Sequence, residues 1–285
     1  MSTISAPPLQ LAPHCPAPQE SAGVANCHDF ARAKAAGRKI VMVAAYDAWS
    51  ARLLADTPVD CILVGDSAMM VVHGEADTIG ATPEIMAMHT RAVARGAPGK
   101  LIVADMPFLS VRKGVNPALD CAAQLLRAGA KAVKVEGVRG HADVIRQLVE
   151  SGIPVMGHLG LTPQSVNTLG GFKVQARDAA SAARLLEEAA MLEEAGAFAL
   201  VLECIPRELA REVTATRRIP TIGIGAGADC DGQVLVLHDL LGLNRQFQPR
   251  FVRRFADGTD VLHEGIGRFT AAVRAGEFPA DREGF

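Results

Sequence analysis

Five short stretches of this 285-residue chain run from apolar residues into side chains that can bind a metal ion or move a proton. Leu63-Val64-Gly65-Asp66-Ser67 and Leu101-Ile102-Val103-Ala104-Asp105 each reach an aspartate. Val133-Lys134-Val135-Glu136 reaches a cation and a carboxylate, Gly157-His158 an imidazole, and Leu200-Val201-Leu202-Glu203 a second glutamate. An apolar run that empties into a polar residue reads as a buried strand ending at a loop, where an enzyme mounts its reactive groups. Mg²⁺ takes one or two carboxylates and completes its octahedron with water and substrate oxygens. Asp66 and Asp105 supply such a pair, with Glu136 as a direct or water-mediated third group. The other use open to each aspartate is structural: its oxygens accept backbone N–H groups and cap the loop that follows.

Lys134 alternates with Val133 and Val135, so it points to one face of its strand and the valines to the other. Glu136, two residues on, shares the face of Lys134. Inside a barrel the ammonium could hold a substrate carboxylate, or a free amine there could act as a Schiff-base nucleophile. A third use is a Lys134–Glu136 pair that only neutralises charge. His158 lies between two glycines and serves either as a hydrogen-bonding scaffold or as a substrate contact. Glu203 closes an apolar run, a setting that tunes a carboxyl group for general acid or base work near neutrality. The adjoining Cys204 has no histidine partner identifiable in the sequence, so it is not expected to be a nucleophile. Gly223-Ile224-Gly225-Ala226-Gly227 could cradle a phosphate, yet it lacks the lysine and hydroxyl residue of a P-loop, and tight packing explains it equally well.

Composition narrows the partners. A formal charge of −2 and a pI near 6.4 leave no electrostatic footprint for nucleic acid or an anionic membrane. An aromatic content of 4% offers few platforms for stacking bases. A small-molecule substrate is the better expectation. The six cysteines form no CxxC pair and no Cys/His metal spacing, which points to a reducing cytoplasm. No apolar stretch approaches the ~20 residues that span a bilayer, and the N-terminus has no signal-peptide pattern. Residues 1–25 hold Pro7, Pro8, Pro13, Pro16 and Pro18 among Ser, Ala and Gln, which predicts a disordered tail ahead of one catalytic domain over 26–285.

The elements that must position these groups alternate. Strands are expected at 39–44, 61–65, 101–105, 132–136, 153–158, 198–203, 220–224 and 234–237. Helices are expected at 30–37, around 49–54, from the Thr82-Pro83 cap to Gly96, from an Asn116-Pro117 cap to Gly129, at 141–150, and along the Ala182, Leu185, Leu186, Ala189, Leu192 stripe to Gly196. A long polar loop is expected after His158, through Gly170-Gly171. Eight strands mostly separated by helices pair in parallel through right-handed crossovers. At 49% hydrophobic, the chain can bury the core of a (β/α)₈ TIM barrel; a doubly wound open sheet is the competing arrangement. Asp66, Asp105, Lys134 with Glu136, His158 and Glu203 fall at the C-terminal ends of consecutive strands two to six, the rim on which barrel active sites are built.

Taken together, Val64-Gly65-Asp66-Ser67, Ala104-Asp105-Met106-Pro107-Phe108, Val133-Lys134-Val135-Glu136-Gly137, Gly157-His158-Leu159-Gly160-Leu161-Thr162-Pro163-Gln164-Ser165, Gly170-Gly171-Phe172-Lys173-Val174-Gln175, Leu202-Glu203-Cys204-Ile205-Pro206 and Ile222-Gly223-Ile224-Gly225-Ala226-Gly227 closely resemble the ketopantoate hydroxymethyltransferase family. The resemblance covers about residues 28–260, in the family's order. It departs in the loop Val72–Thr78, in the extra N-terminal segment, and at Ala176, where glycine is common.

The resemblance implies a (β/α)₈ barrel of the phosphoenolpyruvate/pyruvate type. It implies transfer of a hydroxymethyl group from 5,10-methylenetetrahydrofolate to 3-methyl-2-oxobutanoate, giving 2-dehydropantoate for pantothenate and coenzyme A synthesis through a Mg²⁺-stabilised enolate. It further implies Asp66, Asp105 and Glu136 at the metal, with Asp66, Ser67, Asp105, Lys134 and His158 around the keto acid. Glu203 would be the proton acceptor and the assembly a homo-oligomer, a homodecamer in the family. Two rivals accompany this expectation: a Mg²⁺-dependent aldolase or lyase acting on a 2-oxo acid, and a catalytically silent barrel. The silent barrel predicts a missing site residue, and none is missing.

Overall fold

The computed structural model describes residues 24–245 and 249–285. Of the expected disordered tail, residues 1–23 lie outside the described residues. Eight strands, β1 (Ile40–Ala44), β2 (Cys61–Val64), β3 (Leu101–Asp105), β4 (Ala132–Glu136), β5 (Val155–Gly160), β6 (Ala199–Glu203), β7 (Thr221–Ile224) and β8 (Gly232–Val236), pair in chain order into a closed parallel barrel. Ile40 opposite Gly232 closes the ring between β1 and β8. The TIM barrel is therefore the architecture, and the open sheet is excluded.

Each strand is sorted by its period of two. Ile40 and Met42, Cys61 and Leu63, Leu101 and Val103, Ala132, Met156, Ala199 and Val201, Ile222 and Val234 form one buried cluster that fills the barrel. The residues between them, such as Val43, Ile62, Val64, Ile102, Val133, Leu200 and Leu202, belong to the second cluster, between barrel and helices. Continuing the inward phase upward places Asp105, Lys134, Glu136, His158 and Glu203 inside the barrel mouth.

Helix α1 (His28–Ala35) precedes the barrel, and its Phe30 meets Phe198 edge to face at 5.3 Å. Burying a side chain of this size contributes about 2 kcal/mol. Lys34 of α1 pairs with Asp231 at 2.9 Å. Then come α2 (Ala48–Ala55), the short α3 (Ala68–Val71) and α4 (Pro83–Gly96). The α4 cap is as expected: Thr82 Oγ1 accepts from Ile85 N, and Pro83 takes the first helical position, where no N–H is needed. In α5 (Val115–Ala128) the expected cap is corrected. Gly114, not Asn116, occupies the N-cap, so Pro117 sits at the third helical position, still among the donors that have no intrahelical acceptor.

Helix α6 (Ala142–Glu150) follows β4, and the loop after β5 contains a 3₁₀ turn at Pro163–Ser165 and α7 (Val166–Leu169), local structure that its polar composition did not signal. Helix α8 (Ala179–Glu194) buries Leu185, Ala189 and Leu192 of the expected stripe. Helix α9 (Arg207–Thr216), absent from the expected elements, packs Leu209, Ala210 and Val213 inward. The last expected strand lies two residues earlier at its start, and Leu237 opens α10 (Leu237–Leu240). The final helix, α11 (Gly258–Ala275), has no buried residue, and Val261, Leu262, Ile266 and Phe269 are all exposed. Among the described residues no helix is long and apolar enough to cross a membrane.

Candidate active site

The strand register brings the charged groups into contact. Asp105 and Lys134 are directly opposite on β3 and β4, and Lys134 Nζ lies 3.0 Å from Asp105 Oδ1. Glu136 and His158 are opposite on β4 and β5. His158 Nδ1 is 3.2 Å from Lys134 Nζ and 3.5 Å from Glu136 Oε1, while Nε2 is 3.1 Å from Glu203 Oε2. The imidazole thus bridges β4 and β6. The ammonium can only donate, so in the neutral imidazole the Nδ1 lone pair faces Lys134 and Nε2 carries the proton that faces Glu203.

Asp66 lies one residue beyond the inward phase of β2, on the loop that leads into α3. Its backbone N–H donates to Asp105 Oδ2 at 3.1 Å. The structural use of Asp105 is therefore realised in part, but across strands instead of within its own loop. Gly65 leaves room for the Ser67 hydroxyl, since a β-carbon there would lie 2.8 Å from Ser67 Oγ. Gly160 serves the opposite wall: at φ 95° a β-carbon would collide with the Glu203 carbonyl at 2.2 Å.

Two residues here had no role assigned from the sequence. Gln164 reaches in from the 3₁₀ turn, its Nε2 donating to Asp66 Oδ2 at 2.8 Å and to the Met106 carbonyl at 2.9 Å. Its backbone N–H donates to Glu136 Oε2 at 3.0 Å, so a single residue holds two of the acids. Tyr46, just past β1, shares a 2.8 Å hydrogen bond with Ser67 Oγ, and its carbonyl accepts from His89 Nδ1 at 2.7 Å. A polar residue directly after an apolar strand was the available signal for Tyr46, the same one that marked Asp66.

Asp66, Asp105, Lys134, Glu136 and His158 are all buried. Burial first, and then the Asp105 and Glu136 carboxylates, push the Asp66 carboxyl well above its usual range. Burial works against the charged form of Lys134, but Asp105, Glu136 and Asp66 together outweigh it and hold the amine as ammonium. That argues against the Schiff-base use, and the partner of Lys134 is Asp105 on the next strand, not Glu136. Burial and the Lys134 charge disfavour the His158 imidazolium, and the Glu136 and Glu203 carboxylates overcome both, so its pKa is raised.

Three buried carboxylates thus face one ammonium. Asp105 Oδ1 and Glu136 Oε1 are buried without an aligned hydrogen-bond donor. Among the described residues no three acidic, histidine or cysteine groups close into a preformed cage. An acid-rich oxygen donor set with part of its shell left to other ligands suits Mg²⁺, which retains waters and substrate oxygens.

Burial, then the charge of Glu203, pushes the Cys204 thiol up to about 12, so it carries no thiolate near neutrality. The glycine run that begins in β7 and continues past it packs tightly, with Gly223 against Cys230 and Gln233 and Gly225 against Cys204 and Phe251, in keeping with the packing alternative.

Comparison with known proteins decides the family. A profile of ketopantoate hydroxymethyltransferase matches residues 25–281. The chain belongs to the ketopantoate hydroxymethyltransferase family. It is 50% identical to the 3-methyl-2-oxobutanoate hydroxymethyltransferase of Bdellovibrio bacteriovorus over 257 residues, covering 90% of this chain and 98% of that one. The enzyme of the same name from Coxiella burnetii is 50% identical over 255 residues, 89% of this chain and 96% of the relative. Among solved structures, phosphonopyruvate hydrolase in complex with oxalate and Mg²⁺ superposes with a TM-score of 0.60 at 12% identity, covering 90% and 92% of the two chains. 2,3-Dimethylmalate lyase, a phosphoenolpyruvate mutase/isocitrate lyase superfamily member, superposes with a TM-score of 0.59 at 18% identity, covering 91% of each. These last two matches show a shared fold.

Proposed function

We propose that this ketopantoate hydroxymethyltransferase family member makes 2-dehydropantoate from 3-methyl-2-oxobutanoate, 5,10-methylenetetrahydrofolate and water. The reading rests on the family match and on one feature of the site: Glu203 and the acid cluster flank the same imidazole, His158, from opposite sides. Asp66 and Asp105, with Glu136 in support, would hold Mg²⁺, and the ion would supply Lewis-acid polarisation of the 2-oxo group.

The chain's own residues do the rest. Lys134 gives the substrate carboxylate a buried cation, and Ser67, oriented by Tyr46, gives it a hydroxyl donor. Glu203, beside His158 Nε2, accepts the C3 proton. The C3 electron pair forms a bond to the methylene carbon of the donor, and both carbon–nitrogen bonds that held this carbon break. Water contributes the product hydroxyl, and the two nitrogens of the departing tetrahydrofolate take up two protons, one from water and one that left C3.

We place the reaction in the cytoplasm, a reading supported by the free thiols of Cys27, Cys61, Cys121, Cys204 and Cys230. We also infer a homo-oligomer, in support of which α11 exposes Val261, Leu262 and Ile266, which are not buried by the described residues. Incubating the protein with 3-methyl-2-oxobutanoate and Mg²⁺, with and without methylenetetrahydrofolate, tests the activity. Metal- and folate-dependent 2-dehydropantoate is expected, whereas carbon–carbon cleavage of a 2-oxo acid without folate would favour the lyase.

A further inference from the structure

The charged members of the site are buried unequally. Asp66, Asp105, Lys134 and His158 are at most 4% exposed, Glu136 is 9% exposed, and the Glu203 side chain is 17% exposed. On the Glu136 side the site opens into a cleft between the turn after β3 and the 3₁₀ turn after β5, lined by Phe108, Leu109, Arg112, Glu136 and Gln164. This side lies across His158 from Glu203.

The cleft is built to face outward. Phe108 and Leu109 are 38% and 42% exposed, and Leu109 adopts φ 64°, a conformation that its β-carbon disfavours. The 107–112 segment turns on itself through Ser110 N to the Pro107 carbonyl and Arg112 N to the Leu109 carbonyl, 3.0 Å each. Arg112 Nη1 donates to the Arg139 carbonyl at 2.7 Å, and the guanidinium lies against Gly137 and Gly140, where β-carbons would come within 3.6 and 3.4 Å of it. The nearby acids, Glu187 and Glu188, are taken by Arg139. Arg112 therefore offers a fixed cation beside two presented apolar side chains, at the edge of the acid cluster.

We propose that this cleft is the subsite for the one-carbon donor: Phe108 and Leu109 pack against the aromatic body of a reduced folate, and Arg112 binds a carboxylate of its glutamate tail. The assignment rests on the reading that the donor is a folate. An occupant with a flat apolar body and an anionic end matches the chemistry of this lining, two exposed apolar side chains beside one cation. The placement brings the donor to the substrate from the side opposite Glu203, so the base and the electrophile do not compete for space.

Steady-state kinetics on R112Q and F108A, with the full chain and saturating Mg²⁺, test the subsite. The KM for methylenetetrahydrofolate should rise about tenfold in each, with the KM for 3-methyl-2-oxobutanoate within twofold. In R112Q the rise should be larger for a triglutamate donor than for a monoglutamate. Binding of 5-formyltetrahydrofolate, measured by calorimetry, should weaken by a similar factor. An unchanged donor KM in both variants, with wild-type exchange of the substrate C3 proton intact, would overturn the subsite alone. Failure of the wild-type chain to use any folate donor would overturn the subsite together with the function on which it rests.

Discussion

Gln164 ties together two acids that come from different strands: its side-chain amide donates to Asp66 and its backbone N–H to Glu136, at 2.8 and 3.0 Å. Both oxygens are thereby aimed before any ligand arrives. Gln164→Ala should leave the barrel folded, because the residue lies on the rim and not in either apolar cluster. Outer-sphere partners of this kind are worth about 10–100-fold in metal affinity. Calorimetric titration with Mg²⁺ should show a loss of that size, and an unchanged affinity would mean that Gln164 does not organise the acids.

Among the described residues Lys134 is the one cation paired with Asp105, at 3.0 Å. Lys134→Met leaves Asp66, Asp105 and Glu136 without it, and removing one partner of a buried pair costs about 3–5 kcal/mol. Thermal unfolding of the metal-free variant should show that loss, and added Mg²⁺ should recover part of it by replacing the missing charge. Turnover should not return with stability, since the substrate carboxylate has lost its partner.

The raised Asp66 pKa gives the metal-free protein a defined pH dependence. Folded Asp66 holds its proton at pH values where the unfolded chain, with a carboxyl pKa of about 3.9, has lost it. The folded state therefore binds more protons in that window, and this contribution to stability is complete below about pH 4 and is lost as pH rises through the folded-state value. Metal-free protein should become less stable across that window, and Asp66→Asn should flatten the slope. A slope that is the same in wild type and variant would assign the dependence to other groups.

Ala176 shows how local strain escapes a reading of motifs. Its position next to Gln175 marked it only as a departure from a common glycine, whereas the structure places it at φ 53°, with Gln175 N donating to the Cys204 carbonyl at 2.8 Å. A non-glycine residue there costs roughly 1 kcal/mol. Ala176→Gly should raise the melting temperature by about 2–4 °C, read by calorimetry.

What was legible in the sequence followed from the period of two. Asp105, Lys134, Glu136, His158 and Glu203 continue the inward phase of their own strands, so strand position alone brought them to the rim. Contacts set between elements were not legible. The partner of Lys134 depends on the β3–β4 register, and the role of Gln164 depends on how a polar segment folds into a 3₁₀ turn and α7. Helix α11 stayed silent for a related reason: none of its residues is buried, and Phe269 meets only Phe278 of the C-terminal segment, edge to face at 5.4 Å, so no core pattern ties the helix to the barrel.

The central claim is that Glu203 removes the C3 proton of 3-methyl-2-oxobutanoate beside the Asp66, Asp105 and Glu136 cluster. Exchange of that proton into deuterated water, followed by NMR with Mg²⁺ present and no folate, isolates this step. Wild-type protein should exchange it, and Glu203→Gln should lose exchange by at least the ~100-fold expected of a missing general base, with the substrate still bound. Near-wild-type exchange in Glu203→Gln, accompanied by loss of overall turnover, would contradict the assignment.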